Sequence, residues 1–311
     1  MDVVTCLQKN RLYWAIVLLL LVVSCGNPQG ERSVSAGEAP VKKPEIDVMA
    51  SAAAKQLLHY WDGFSFKSQA VLNKREAAEQ KLVDFIALLP AVQDTVAHLA
   101  VSNMLTKAST DPRVLDFFLE KYRHYLYDPN SPMRNEGHYE KVLIYLVESD
   151  ATADEEKIKY RALLELVGKN QVGMVATDFG YLGKDGQYHT MHEGTKPYKM
   201  LVFYDPTCTH CAAIMQDLAQ TPAVHNCIEN GFLDIVSVSL HPDKDSWTAY
   251  QKQIADNWIN GWDEKGSIIN DGLYNIRAYP TIFLLNKDNE VLLKDAPLDV
   301  TLRYLVNLVN K

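Results

Sequence analysis

The sequence predicts an all-helical domain followed by an α/β domain in which helices flank a central mixed sheet. Between residues 46 and 168, apolar side chains recur three and four positions apart, which is the spacing of amphipathic helices. From residue 169 to residue 311, short apolar runs alternate with helical segments, and a hairpin pattern precedes the last helix. This order favours parallel and antiparallel strands in one sheet.

Residues 1–24 have the pattern of a signal peptide. Lys9 and Arg11 precede the apolar run "LYWAIVLLLLVVSC", which is shorter than the roughly 20 residues of a membrane-spanning helix. The end of this run, Val22 to Cys25, resembles the lipobox of bacterial lipoproteins. The resemblance implies a lipid on Cys25 and a place in the cell envelope facing the periplasm, with the outer membrane favoured. A plain secretory signal or an uncleaved anchor is the alternative.

Residues 25–45 are rich in Gly, Pro, Ser and charged side chains, which predicts a flexible tether. In the helical domain that follows, residues 46–168, the histidines occur at no metal-ligand spacing with a carboxylate or cysteine partner. We therefore predict partner binding or dimer formation for this domain rather than chemistry. Its long aromatic connection "RHYLYDPNSPMRNEGHYE", with two prolines, is the predicted partner surface.

The strongest chemical motif is the cysteine pair in "FYDPTCTHC". Cys208 and Cys211 stand between a predicted buried strand and a predicted helix. At the start of a helix, positions i and i+3 share one face, so the two sulfurs can reach each other. The positive end of the helix dipole favours the Cys208 thiolate, which predicts Cys208 as the nucleophile and Cys211 as its resolving partner. His210, when protonated, shifts the pair toward a more oxidising potential.

Three other interpretations of the pair fit less well. A zinc site needs two further ligands, and only Cys227, His225 or His192 could help. A haem attachment site needs a histidine directly after the second cysteine, where this chain has alanine. A purely structural disulfide this short removes little unfolded-state entropy. We therefore predict no metal and no cofactor beyond the redox-active disulfide Cys208–Cys211, and we expect Cys227 to lie in the core.

From about Gly173 to Lys311, these motifs resemble the thioredoxin superfamily and, more narrowly, the TlpA/ResA-like thiol-disulfide oxidoreductases. "MLVFYDPTCTHC" resembles the family's central strand and active-site turn, and "LYNIRAYPTIFLLNKDNEVL" its proline-bearing strand and closing hairpin. The resemblance implies a thioredoxin-like fold with Cys208 as the attacking cysteine and Cys211 as the resolving one. It also implies a cis Pro280 facing the pair, with the Tyr279 backbone placed to bind a substrate chain.

Two positions depart from the family pattern. Thr207 stands where the family usually has Trp, and the buried acid of many thioredoxins falls at Val202. Asp205 is expected to be a turn residue. The group that deprotonates Cys211 is left open, with Glu193 and Asp178 as candidates.

The resemblance implies a lipid-anchored periplasmic thiol-disulfide oxidoreductase, with reduction slightly favoured over oxidation. Its expected partners are protein thiols and disulfides of the cell envelope, a membrane electron donor, and the membrane itself through the lipid at Cys25. The alternative is an interaction or scaffold lipoprotein whose helical domain recruits a partner and whose second domain is a redox-regulated clamp. A net charge of −8 without a basic cluster argues against nucleic acid as a partner.

Overall fold

A computed structural model of the protein describes residues 51–309. The predicted signal peptide, the tether and the lipidated Cys25 lie outside the described residues.

The region between residues 52 and 168 contains α-helices and no β-strand among its described residues, because its apolar side chains repeat at helical spacing. Its buried centre is an aromatic cluster around Trp61, which lies 5.0–5.7 Å from the rings of Phe64, Phe85 and Phe118. The helices are α1 (Ala52–Leu58), α2 (Ser68–Leu72), α3 (Arg75–Leu88), α4 (Asp94–Ala108), α5 (Pro112–Tyr122), α6 (Glu136–Glu148) and α7 (Asp154–Gly168).

The connection between α5 and α6 begins as a five-residue π-helix, Arg123–Tyr127. Such π-helical turns occur frequently at functional sites. The loop that follows ends at Asn135, whose side chain caps α6 by accepting a hydrogen bond from the His138 amide at 3.0 Å. This connection is the one that the sequence predicts as a partner surface.

The region from residue 180 onward is a mixed seven-stranded sheet in the order β2-β1-β5-β4-β3-β6-β7. The β3–β4 and β4–β5 pairs are parallel, and the other neighbours are antiparallel. The strands are β1 (Gly180–Gly183), β2 (Tyr188–Thr190), β3 (Tyr198–Tyr204), β4 (Leu233–Ser239), β5 (Ile259–Trp262), β6 (Thr281–Asn286) and β7 (Val291–Leu293). The helices are α8 (Thr209–Gln220), α9 (Pro222–Glu229), α10 (Lys244–Tyr250), α11 (Ser267–Asn270) and α12 (Leu298–Val309).

Strand β3 is buried on both faces and, apart from Lys199, its central residues are apolar. Val202 and Tyr204 face a core cluster that also contains Cys211 and Leu305 of α12. The alternate residue Phe203 faces the opposite cluster, which includes Phe179 and Tyr274. The thioredoxin-like fold class, with helices preceding a mixed sheet, is confirmed.

The tryptophans of the second region, Trp247, Trp258 and Trp262, are buried. Trp247 lies in α10 and Trp262 lies in β5. Strand β5 is not predicted from the sequence, because it has only four residues and includes Asn260 and Gly261.

The helical and sheet-containing regions pack together in one compact unit. Lys169 donates to the Gly272 carbonyl at 2.9 Å, Asn170 to the Leu273 carbonyl at 2.8 Å, and Lys294 to the Val167 carbonyl at 2.8 Å. The domain boundary between residues 168 and 169 therefore stays a prediction.

Candidate active site

The two cysteines lie at the junction of β3 and α8. Cys208 is the N-terminal cap of α8, and its sulfur accepts a hydrogen bond from the Cys211 amide at 3.3 Å. Both thiols are free. Cys208 is half-buried and Cys211 is completely buried, so only the first sulfur is open to another molecule. This is the arrangement of an attacking and a resolving thiol.

The loop before Cys208 is held by Asp205. Its carboxylate accepts hydrogen bonds from both the amide and the hydroxyl of Thr207, each at 2.7 Å, and its carbonyl accepts from the Cys208 amide at 3.1 Å. Asp205 is therefore a turn residue, as predicted, and it fixes the chain immediately before the nucleophile.

Pro280 reaches the cysteine pair because it directly precedes β6, which pairs antiparallel with β3. The Phe203–Thr281 register brings the start of β6 to the same sheet end as the cysteine loop. The Tyr279–Pro280 peptide bond is cis, and the Tyr279 carbonyl oxygen lies 3.9 Å from the Cys208 sulfur. His210 is exposed and lines a groove together with Tyr279 and Pro280. The structure thus brings the predicted site residues Cys208, His210, Cys211, Tyr279 and Pro280 together.

The pKa of Cys211 is raised to about 12, and burial is the largest cause. A hydrogen bond from the Asp205 backbone lowers this pKa, whereas the negative charge of Asp205 raises it further. The two suggested proton acceptors are engaged elsewhere. Glu193 lies 3.2 Å from the His189 ring, and Asp178 accepts a hydrogen bond from the His192 amide at 2.9 Å.

A neutral hydrogen-bonded network lies in the interior close to Cys211. The Asn260 side chain accepts from the Trp247 indole at 2.8 Å and donates to the Tyr204 hydroxyl at 2.9 Å and the Ser237 hydroxyl at 3.0 Å. Tyr204 shares a core cluster with Cys211, and burial is the main cause that raises its pKa, with ionised Cys211 a smaller one. We call these four residues the neutral network; no local sequence pattern predicts it.

A second unpredicted feature is a buried ion cluster beside the Pro280 loop. Glu136 at the start of α6 lies 2.9 Å from Arg277 and 2.8 Å from Lys294, and Arg277 also lies 2.5 Å from Asp295. The side chains of Glu136 and Arg277 are only 3% and 8% exposed, so their charges are largely removed from water. Arg277 also donates to the Tyr127 carbonyl and covers its ring at 4.6 Å.

The remaining predicted positions are as follows. Cys227 is buried in α9, and burial raises the pKa of its thiol. Within residues 51–309, no group of three or more His, Cys, Asp or Glu side chains is placed to hold a metal ion. In the part of the chain that the structure describes, no helix combines the length and apolar composition of a membrane span.

Comparison with known proteins assigns both regions. Residues 29–170 match a domain of unknown function, DUF5106, and residues 197–291 match the family described as thioredoxin-like. A thioredoxin-like protein from Bacteroides caccae is 30% identical, with a TM-score of 0.78 over 88% of this chain and 99% of its own. No curated protein matches.

Two shorter structures also match. The C-terminal domain of an uncharacterized Bacteroides fragilis protein is 32% identical, with a TM-score of 0.44 over 45% of this chain and 99% of its own. The thioredoxin domain of a thiol-disulfide oxidoreductase from Bacteroides vulgatus is 18% identical, with a TM-score of 0.40 over 45% of this chain and 98% of its own. By its match to the Bacteroides caccae protein over nearly the whole of both chains, this chain belongs to the thioredoxin-like proteins.

Proposed function

We propose that the protein is a lipid-anchored thiol-disulfide oxidoreductase that exchanges disulfides with exported proteins. The observation that carries the proposal is the pair of free thiols, with the accessible Cys208 sulfur at a helix N-terminus and Cys211 buried behind it. The Tyr279 carbonyl beside Cys208 supports binding of a substrate backbone next to the sulfur.

The proposed reaction has two steps. The Cys208 thiolate attacks one sulfur of a substrate disulfide, forms a mixed disulfide and releases the first substrate thiolate. Cys211 then loses its proton and attacks the Cys208 sulfur, which releases the second substrate thiolate. Two electrons and two protons pass to the substrate, and the enzyme holds a Cys208–Cys211 disulfide. A dithiol donor must reduce that disulfide before the next cycle, and we propose that this donor is membrane-bound.

We propose the reductive direction because the chain resembles the TlpA/ResA-like proteins. The raised pKa of Cys211, about 12, keeps this thiol protonated in the reduced pair, so the thiolate that attacks the substrate is that of Cys208. His210 acts in the opposite sense when it is protonated. The reduction potential of the full-length protein, measured in glutathione buffers, separates the two: we expect a value near roughly −270 mV, and a value between roughly −180 and −120 mV would overturn the reductive assignment.

The proposed position is the periplasmic side of the cell envelope, in the outer membrane, with a lipid on Cys25. Replacement of Cys25 by Ser is expected to move the protein from the membrane fraction to the soluble fraction and to abolish incorporation of labelled fatty acid. Unchanged membrane association and labelling after Cys25→Ser would reject this anchor.

The activity is tested by reduction of insulin disulfides with the full-length protein and dithiothreitol. We expect Cys208→Ser to abolish the protein's contribution, because no other described thiol is positioned to attack. Cys227→Ala, which removes a thiol buried in α9, is the matched control and should keep the activity. Full activity of Cys208→Ser would contradict the proposal, and unchanged cellular function of that variant would favour the scaffold alternative.

A further inference from the structure

The active site opens into a groove of about 550 Å³. The lining includes His210, Tyr279 and Pro280, and the Tyr279 carbonyl oxygen lies 3.9 Å from the Cys208 sulfur. A groove of this volume is large enough for several side chains of a bound segment. Residues from the helical region also line this groove.

One wall is supplied by the helical region, through Pro129, Asn130 and Arg134 of the loop between α5 and α6. This wall is held in place. Arg277 donates to the Tyr127 carbonyl just before the loop, and Arg134 donates to the Asp295 carbonyl at 3.1 Å. The connection that is predicted from the sequence as a partner surface therefore lines the same groove as Tyr279 and Pro280.

The floor of the groove is apolar and the rim is acidic. The floor consists of Ile214, Ile282, Leu298 and Leu302. Three carboxylates and one guanidinium line the groove, namely those of Asp217, Asp295, Asp299 and Arg134. Two of these carboxylates are paired with arginines, so the preference for a cationic occupant depends on the third, Asp217.

Asp217 is the carboxylate left available for that occupant. Asp295 already lies 2.5 Å from Arg277, and Asp299 lies 2.8 Å from Arg303. Asp217 is exposed on α8, and within the described residues it forms no ion pair.

We propose that the groove selects an extended polypeptide segment in which the reactive cysteine lies close to an apolar side chain and a lysine or arginine. The apolar side chain occupies the floor, the cation lies near Asp217, and the backbone lies along the Tyr279 carbonyl. The helical region thereby takes part in substrate choice through the Pro129–Arg134 wall. This inference rests on the proposed function, since it describes the substrate of the same site.

The charge preference is tested with peptides whose cysteine is joined to thionitrobenzoate as a mixed disulfide. The Cys208 thiolate of the reduced full-length protein bonds to the peptide sulfur and releases coloured thionitrobenzoate. Four peptides are compared. Two carry Leu and Lys, placed either before or after the cysteine, and two carry Leu and Asp at the same positions. We expect the faster of the two Lys peptides to react about fivefold faster than the Asp peptide of the same order, which is the effect of one partly exposed ion pair.

Asp217→Asn is expected to remove that difference. Asp256→Asn, which changes an exposed carboxylate outside the groove, should preserve it. Equal rates for the Lys and Asp peptides with the unchanged protein, or a preference that survives Asp217→Asn, would overturn the charge assignment.

The wall is tested with Asn130→Trp, which fills the groove from the helical side. Asn130 is exposed, and its side chain makes no hydrogen bond to the described residues. We expect the peptides to react at least about tenfold more slowly, while the small hydroxyethyl disulfide reacts as before. Asn73→Trp, in an exposed turn outside the groove, should change neither rate.

The small disulfide separates failure of this inference from failure of the proposed function. If the unchanged protein does not react with hydroxyethyl disulfide, the oxidoreductase activity is rejected, and the inference is rejected with it. Normal reaction with hydroxyethyl disulfide but unchanged peptide rates in Asn130→Trp would reject only the wall. Equal slowing of the small disulfide and the peptides would also reject the wall as a selective element.

Discussion

Two buried polar clusters flank the cysteine pair, and they use different chemistry. The ion cluster beside Pro280 is made of charged groups, with Glu136, Arg277, Lys294 and Asp295 in direct ion pairs. The neutral network close to Cys211 is made of an amide, an indole and two hydroxyls joined by hydrogen bonds of 2.8–3.0 Å. The first joins two regions of the chain, and the second lies within the sheet-containing region.

The difference shows that the two clusters have different roles: the ion cluster holds the Pro280 loop in place, and the neutral network adds no charge next to the Cys211 thiol. Full charges in a buried site act over longer distances than neutral dipoles, so a cation next to Cys211 would stabilise its thiolate. The neutral network satisfies the polar groups of that core without adding such a charge. The ion cluster fixes the Pro280 loop against the helical region, where strong pairing holds the geometry.

The largest expected effect is the loss of the central cation of the ion cluster. Arg277→Ala removes one cationic partner of Glu136 and one of Asp295, and leaves Lys294 beside the first and Arg134 beside the second. We expect the free energy of unfolding to fall by about 3 kcal/mol, the lower end for a broken buried ion pair, measured by urea denaturation of the full-length protein.

Arg303→Ala is the matched control for Arg277→Ala. Arg303 pairs with Asp299 on the surface, where the two side chains are 68% and 66% exposed. Because water screens this pair, we expect a loss of no more than about 1 kcal/mol. Similar losses for the two arginine variants would mean that burial of the ion cluster has no energetic consequence.

The next effect concerns the reactivity of Cys211. In Cys208→Ser, we expect iodoacetamide to label Cys211 at least about tenfold more slowly at pH 9 than in the urea-unfolded chain. A thiol with an ordinary pKa of 9.0 is half ionised at that pH, whereas burial, the largest cause of the raised pKa of Cys211, persists in this variant although the smaller contribution of Cys208 is removed. Mass spectrometry of the peptide that contains Cys211 measures the labelled fraction.

The sign of the pH dependence follows from the same shift. Because the pKa is raised in the folded protein, labelling should increase about tenfold for each pH unit above 9 until the pKa is approached. Labelling of Cys211 that levels off below pH 9 would show that a group near it stabilises the thiolate after all.

The smallest effect is expected in the neutral network. Asn260→Leu keeps similar bulk but leaves the Trp247 indole and the Tyr204 hydroxyl without their amide partner. We expect a loss of about 1–3 kcal/mol in the free energy of unfolding, with little dependence on salt. Asn230→Leu, on an exposed turn, is the control. A loss larger than that of Arg277→Ala would reverse the comparison between the two clusters.

Much of the fold could be predicted from sequence because its signals are local. The largely apolar strand β3, the Cys208–Cys211 spacing and the hairpin after Pro280 each lie within a short stretch, and each carries a recognisable pattern. Strand β5 could not be predicted, since it is short and its place is fixed by pairing with β1 and β4 rather than by its own composition.

The ion cluster and the groove around the candidate site could not be predicted from short stretches of sequence. Glu136 and Arg277 are 141 positions apart in the sequence, and they come into contact only because the two regions pack together. In the sequence each looks like an ordinary surface charge, because charged side chains are rarely buried without a partner. The contact of the Pro129–Arg134 wall with the active-site groove depends on the same long-range packing.

The shared ion cluster limits how the chain can be divided. A chain that begins at residue 169 would keep Arg277, Lys294 and Asp295 but would lose Glu136, so two cations would face a single carboxylate beside the Pro280 loop. It would also lose the part of the groove lining formed by Pro129, Asn130 and Arg134. The cysteine pair is encoded in the second region alone, but the charge balance near it, and the selectivity that we propose for the groove, depend on the whole chain.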